Sequence, residues 1–233
     1  MMRRLALLSI MILVAAGGGL TRTARAGPPY LADVAISALT ERLGDCDASV
    51  RQAAALALRD MGPEAKAAIP ALAQRLRDVD GYVAIDASYT LGKMGPEAVP
   101  SLVPLLRDCE PRVRELAVRT LRQIGPEAKA AVPAMAERLR DCDASVRQAA
   151  AFALREMGPE AKAAIPALAQ RLRDIDGYVA IDSAQTLKGM GPEAVPGLTP
   201  LLRDCEPRVR ELAVRTLRQI GSEAISVSPL DRR

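Results

Sequence analysis

The sequence predicts an all-α solenoid of six stacked two-helix units, and three observations carry that prediction. First, an acidic turn recurs: Asp45-Cys46-Asp47, Asp78-Val79-Asp80, Asp108-Cys109-Glu110, Asp141-Cys142-Asp143, Asp174-Ile175-Asp176 and Asp204-Cys205-Glu206. The steps between these turns are 33, 30, 33, 33 and 30 residues, a period that belongs to stacked helical repeats. Second, Gly-Pro-Glu-Ala begins at Gly62, Gly95, Gly125, Gly158 and Gly191, with Gly-Ser-Glu-Ala at Gly221. Third, 49% of the 233 residues are hydrophobic but only 2% are aromatic. A large conventional core uses Phe, Tyr and Trp, whereas Ala, Leu, Arg and Glu favour helices that approach closely.

Each unit reads as two helices. After the first acidic turn, Val50, Ala54, Ala57, Leu58 and Met61 recur at helical spacing and form one apolar stripe. Gly62 ends that helix and Pro63 opens the next, the expected asymmetry of helix ends. Glu64 adds an acid where the helix dipole favours it. The second helix is expected to run to about Arg77 with Pro70 inside it, where the missing N–H and the ring should produce a kink. One such hairpin cannot bury its apolar face alone, which accounts for the tandem array. Residues 45–125 align without gaps with 141–221, and 71 of 81 positions are identical. A three-unit block is therefore used twice.

The ends differ from the array. Met1-Met2-Arg3-Arg4, an apolar run from Leu5 to Ala16 and Ala24-Arg25-Ala26 together read as a secretory signal peptide over 1–26, cleaved before Gly27. The expected location is therefore outside the cytoplasm, periplasmic or extracellular, with an uncleaved N-terminal membrane anchor as the alternative. The segment holds Arg3, Arg4, Arg22 and Arg25 and no acid. Without these four, the 32 basic residues become 28, against 28 acidic ones. The apparent basicity belongs to the leader, which removes the charge argument for nucleic acid. The solenoid is assigned to 27–221, with Leu31 to Leu43 as an opening helix and 222–233 as a C-terminal tail.

Units of the form Asp-x-Asp-x-x-Val-Arg-x-x-Ala-Ala-x-x-Leu, ending in Met-Gly-Pro-Glu-Ala, resemble HEAT-type repeats, in particular the short subtype of phycobilisome-lyase-like proteins. The resemblance covers roughly Leu31 to Gly221. It implies a right-handed α-solenoid of six two-helix repeats, with one helix of each pair lining a concave face. It also implies an Asp–Arg ladder through Arg51, Arg114, Arg147 and Arg210, locking turn to helix and unit to unit. Units two and five carry Ala84 and Ala180 in place of that arginine and add Asp86 and Asp182. These two acids are expected to accept an arginine from a neighbouring unit.

Cys46, Cys109, Cys142 and Cys205 occupy a position that is Val79 or Ile175 in the other units. That exchange suggests a small, half-buried apolar site holding free thiols, with an intermolecular or redox role left open. The sequence contains no His. This removes Ser–His and Cys–His nucleophiles, His-based metal sites and the His-Glu iron site of the HEAT-like deoxyhypusine hydroxylase. Every acidic cluster repeats with the unit, whereas an active site occurs once. No catalytic, cofactor-binding or metal-binding residue is therefore assigned.

The concave face is the candidate binding surface. Its central column holds Leu56, Tyr89, Arg119, Phe152, Gln185 and Arg215. A turn later come Arg59, Arg122, Arg155, Lys188 and Arg218, and a turn before, Ile85 and Ile181. Arginine mixed with aromatic and aliphatic side chains suits protein recognition. The expected function is a non-enzymatic protein-binding scaffold. The alternatives are a phycobilin-lyase-like cofactor-handling factor and a nucleic-acid-binding HEAT-like protein. An unidentified protein partner is expected, with no cofactor, no nucleic acid and no stable membrane span after signal cleavage. End-to-end self-association is left open.

Overall fold

In a computed structural model the backbone is described for residues 29–226 and the side chains for 31–221. The proposed leader, 1–26, and residues 227–233 lie outside the described residues. The chain divides into two compact units with the boundary between Ala98 and Val99. All regular structure among the described residues is helical.

The first unit contains α1 (Pro29–Arg42), α2 (Ala48–Met61), α3 (Ile69–Arg75) and α4 (Gly81–Met94). The second contains α5 (Val99–Leu102), α6 (Pro111–Ile124), α7 (Val132–Arg138) and α8 (Ala144–Met157). It continues with α9 (Ile165–Arg171), α10 (Gly177–Gly189), α11 (Val195–Leu198) and α12 (Pro207–Ser226). The long helices that follow the acidic turns pack side by side, α2 on α4 in the first unit and α6, α8, α10 and α12 in succession in the second. Leucines fill the spaces between them: Leu58, Leu72 and Leu91 in one unit, Leu121, Leu139 and Leu154 in the other. Alanine at the contacts lets backbones come close, and the Thr90 hydroxyl lies 3.1 Å from the Ala55 carbonyl oxygen on the neighbouring helix.

The acidic turns start the long helices. Asp47, Asp80, Asp143 and Asp176 each accept a hydrogen bond from the backbone N–H two residues on, the side-chain cap that satisfies an orphan donor of the first turn. The helices preceding Gly62, Gly95, Gly125 and Gly158 stop at those glycines, whose φ values are 66°, 80°, 78° and 59°. That region is open to glycine and strained for other residues.

The second half of each repeat departs from expectation. Residues 62–75 do not form one helix kinked at Pro70. A 3-10 segment, Gly62–Ala68, comes first, with Ala65 at ψ 22°, and α3 restarts at Ile69 with Pro70 in its first turn. There the missing N–H has no acceptor to lose. Two prolines four apart shorten the equivalent element further. Pro100 sits in α5, which ends at Leu102, and Pro104 turns Val103–Arg107 into a 3-10 helix. The same pair, Pro196 and Pro200, acts on α11 and Thr199–Arg203.

The chain does not break at Gly221 either, because α12 runs on to Ser226. The other repeats have proline after this glycine, and here Ser222 stands in its place. Serine supplies the N–H that proline lacks, so the helix continues.

Candidate protein-interaction surface

The arginine that recurs in four of the long helices, at 51, 114, 147 and 210, is a structural bolt. Arg51 donates from Nε and Nη2 to both carboxylate oxygens of Asp78, at 2.8 and 2.7 Å, and from Nη1 to the Asp45 and Cys46 carbonyls. Arg114 does the same to Asp141 and to the Asp108 and Cys109 carbonyls, and Arg147 to Asp174 and its own turn. Each arginine therefore holds its own turn closed and clamps the first aspartate of the next repeat in a bidentate pair. Burial alone would raise the Asp78 and Asp141 carboxyls. The arginine and the N–H of Asp80 or Asp143 overcome it and leave both below the usual range.

Where the arginine is replaced by Ala180, the next aspartate still finds a cation, since Arg173 Nε lies 2.6 Å from Asp204 Oδ2. The expectation for the two additional acids is met in one case. Asp182 takes Arg155 Nη1 at 3.4 Å, whereas Asp86 accepts from the Gln52 amide at 2.7 Å.

The sequence-selected columns all fall on the long helices and largely reach solvent. Tyr89, Ile85, Arg119, Gln185, Ile181, Arg215 and Arg218 are exposed, while Leu56, Arg59, Arg122, Phe152, Arg155 and Lys188 are half-buried. Their side chains interact across repeats. In the second unit Phe152 is bracketed by two guanidiniums, with Arg122 4.9 Å and Arg155 4.3 Å from its ring centroid, a cation–π arrangement. Arg122 also pairs with Glu156 and Arg155 with Asp182. In the first unit Arg59 and Lys93 stand 5.9 and 5.4 Å from the Tyr89 ring centroid. Arg119 pairs with Glu115 at 2.6 Å. Much of the basic character of this surface is thus balanced by carboxylates on the same surface.

A stronger surface feature adjoins these columns, and four of its residues, Val79, Tyr82, Ile175 and Tyr178, are not selected from sequence. Val79 and Ile175 are 93% exposed, and Tyr82 and Tyr178 are 73% exposed. With Ile85 (56%), Ile181 (50%) and Tyr89 (43%) they form an apolar stripe at the start of α4 that recurs on α10. The shared Cys/Val/Ile position is therefore not half-buried: Cys46, Cys109, Cys142 and Cys205 are also exposed. The turn explains why. Its first aspartate accepts from the next-but-one N–H and, at Asp78, Asp141, Asp174 and Asp204, from a preceding arginine; its third residue caps or begins the helix. The middle side chain is left at the apex, facing water. The sequence signal was present, since only two of six repeats place Val or Ile, Tyr and Ile at offsets 1, 4 and 7 from the turn's first aspartate.

No helix among the described residues is long and apolar enough to cross a membrane. No curated protein matches the sequence significantly. Among solved structures, an engineered protein aligns with 80% of this chain and 96% of its own, at 24% identity and a TM-score of 0.51. A second engineered protein covers 91% of this chain and 68% of its own, at 23% identity and a TM-score of 0.51. The complex of CpcE and CpcF of phycocyanin lyase from Nostoc sp. covers 65% of this chain and 98% of its own, at 25% identity and a TM-score of 0.50. Family profiles match as HEAT repeats over residues 69–155 and 165–231, as a HEAT repeat over 35–65 and as a PBS lyase HEAT-like repeat over 146–174. With the capped turns, paired helices and arginine bolts in place, these matches span most of the sequence, and the chain belongs to the HEAT-repeat family.

Proposed function

We propose that the protein is a non-enzymatic scaffold that binds another protein through the apolar stripes of α4 and α10 and the columns beside them. The supporting observation is where the aromatics lie. The chain has four Tyr and one Phe. Tyr82, Tyr89 and Tyr178 are exposed on or beside the stripes, and Phe152 is half-buried on the same columns. A fold that builds its core from leucine and alanine has no packing use for tyrosines at the surface. Large exposed apolar side chains ringed by charge are the usual anchors of a protein interface. The lining residues in this reading are Leu56, Arg59, Ile85, Tyr89, Arg119, Arg122, Phe152, Arg155, Ile181, Gln185, Lys188, Arg215 and Arg218, now with Val79, Tyr82, Ile175 and Tyr178. The pairing of Arg119, Arg122 and Arg155 with carboxylates favours a protein over a polyanion.

The leader-like pattern of residues 1–26 supports action outside the cytoplasm. The test is cross-linking capture from the envelope fraction of the native host. Wild type is compared with a Tyr82→Asp, Tyr178→Asp double variant and with a Leu56→Asp, Phe152→Asp double variant. Partners lost from both variants fit the proposal; an unchanged set for both sinks it.

A second reading, cofactor handling, is favoured by the phycocyanin lyase neighbour and by the PBS lyase HEAT-like repeat match. It predicts that the protein co-purifies with a visible chromophore or binds an added bilin with a change in absorbance. No spectral change on bilin addition would dispose of it.

A further inference from the structure

We propose that this chain associates head to tail with further copies of itself, α12 of one copy packing on α2 of the next as α6 packs on α8. The argument begins with sequence identity. The fourteen residues of α6, Pro111–Ile124, recur without change at 207–220 in α12. The helix that α6 packs against, α8, differs from α2 only at Phe152/Leu56 and Glu156/Asp60. Both halves of an existing helix–helix contact are therefore present a second time.

Comparison of burial shows that the second pair of halves is more exposed than the first. Arg114, Val118 and Leu121 are buried on α6, whereas Arg210, Val214 and Leu217 are half-buried on α12. Glu115 and Gly125, on the same stripe, are half-buried, while Glu211 and Gly221 are exposed. The change follows one helical stripe, the face that α8 covers on α6. On the other side Asp141, Val146, Ala153 and Met157 are buried, whereas Asp45, Val50, Ala57 and Met61 are half-buried. That too is a single stripe, the face that α6 covers on α8. Residues elsewhere on these helices, such as Val113/Val209 and Leu58/Leu154, are equally buried in both copies.

Charge identifies the partner. Arg210 holds its own turn as the other bolts do, donating from Nη1 to the Asp204 and Cys205 carbonyls at 2.8 and 2.9 Å. Its Nε and Nη2, which in Arg51, Arg114 and Arg147 grip the next aspartate, have no acceptor among the described residues. Asp45 is the counterpart: it accepts from the Asp47 N–H at 2.9 Å, and no guanidinium of the described residues meets its carboxylate. A fork with two donors unused among the described residues is complementary in geometry and in sign to a carboxylate whose Oδ2 is unused and whose Oδ1 can accept a second bond, as Asp78 Oδ1 does. Brought together between copies, they reproduce Arg114 on Asp141. Such a contact joins two different faces and does not close on itself, so it propagates along an open chain of copies or a ring. It uses neither the stripes of α4 and α10 nor the columns beside them, and it stands independently of the scaffold reading.

Sedimentation velocity of the full chain, expressed with its own N-terminal segment, tests the proposal across a concentration series. The weight-average mass should rise with concentration. Asp45→Asn keeps an oxygen for the Asp47 N–H but removes the charge, and it should raise the dissociation constant at least about tenfold. Val214→Lys, a change at a half-buried position, should do the same while leaving the melting curve nearly unmoved. An equimolar mixture of Asp45→Asn and Val214→Lys chains retains one intact head and one intact tail, and should stop at dimers. Tyr82→Asp with Tyr178→Asp should leave the association unchanged. A wild type that stays monomeric throughout overturns the proposal. So does association that survives Asp45→Asn and Val214→Lys but is lost with the tyrosine pair, which would place the contact on the apolar stripes.

Discussion

Replacing Arg114 with alanine removes one bolt from the second unit and leaves the buried Asp141 carboxylate without its bidentate partner. Deleting one member of a buried pair costs about 3–5 kcal/mol. Arg138 Nη1 remains 3.2 Å from Asp141 Oδ2, so the loss should fall at the lower end, about 3 kcal/mol. The exposed pair of Arg122 with Glu156, 3.3 Å apart, is the matched control; Arg122→Ala should cost about 1 kcal/mol or less. For a chain of this length 1 kcal/mol moves the melting midpoint by about 2–4 °C, which separates the two variants clearly. Urea unfolding followed by circular dichroism at pH 7 and in acid supplies the assay. The sign of the pH effect follows from Asp141, whose folded carboxyl titrates below its unfolded value of about 3.9. Its contribution is complete above that value and disappears as the pH falls through the folded one. The gap between wild type and Arg114→Ala should therefore narrow below about pH 4. A loss no larger than that of Arg122→Ala, or a gap that widens in acid, refutes the bolt.

Two further changes probe the backbone. Gly125→Ala places a side chain at φ 78° where no atom lies within 4 Å; the penalty is conformational, about 1–3 kcal/mol, and thermal melts should show it. Gly177→Ala, equally free of contacts but without a positive φ, should be neutral or stabilising by up to about 1 kcal/mol, and an equal loss at both sites would contradict the account. Ser222→Pro restores the sequence of the other repeats after the last glycine. Helix signals from residues 222–226 should disappear from the NMR spectrum, and their persistence would show that proline is not what ends the helix elsewhere.

Much of this architecture is legible in the sequence because each repeat carries its own local instructions. Asp47 and Asp80 cap helices through backbone groups two residues away, and Gly62 ends one through its own φ. The second half of each repeat was harder to read. Pro70 lies within an apolar helical pattern, and pattern alone does not distinguish a kinked helix from a 3-10 segment followed by a restart. The surface columns are exposed or half-buried, as a stripe opposite the core follows from helical periodicity. The apex positions were misread. Exchange among Cys, Val and Ile looks like a small apolar niche, but the buried group of that turn is the aspartate before it.

The sequence by itself determined the repeat count, the caps, the two-fold use of a three-repeat block and the absence of histidine chemistry, because all of these are local or countable. Only the tertiary structure decided which side chains face water and which arginine meets which aspartate. Those outcomes depend on the neighbouring repeat. Val118 and Val214 stand in identical fourteen-residue helices, yet one is buried and the other half-exposed. Arg114 and Arg210 stand in the same two helices, yet one holds a carboxylate and the other has two donors without an acceptor among the described residues.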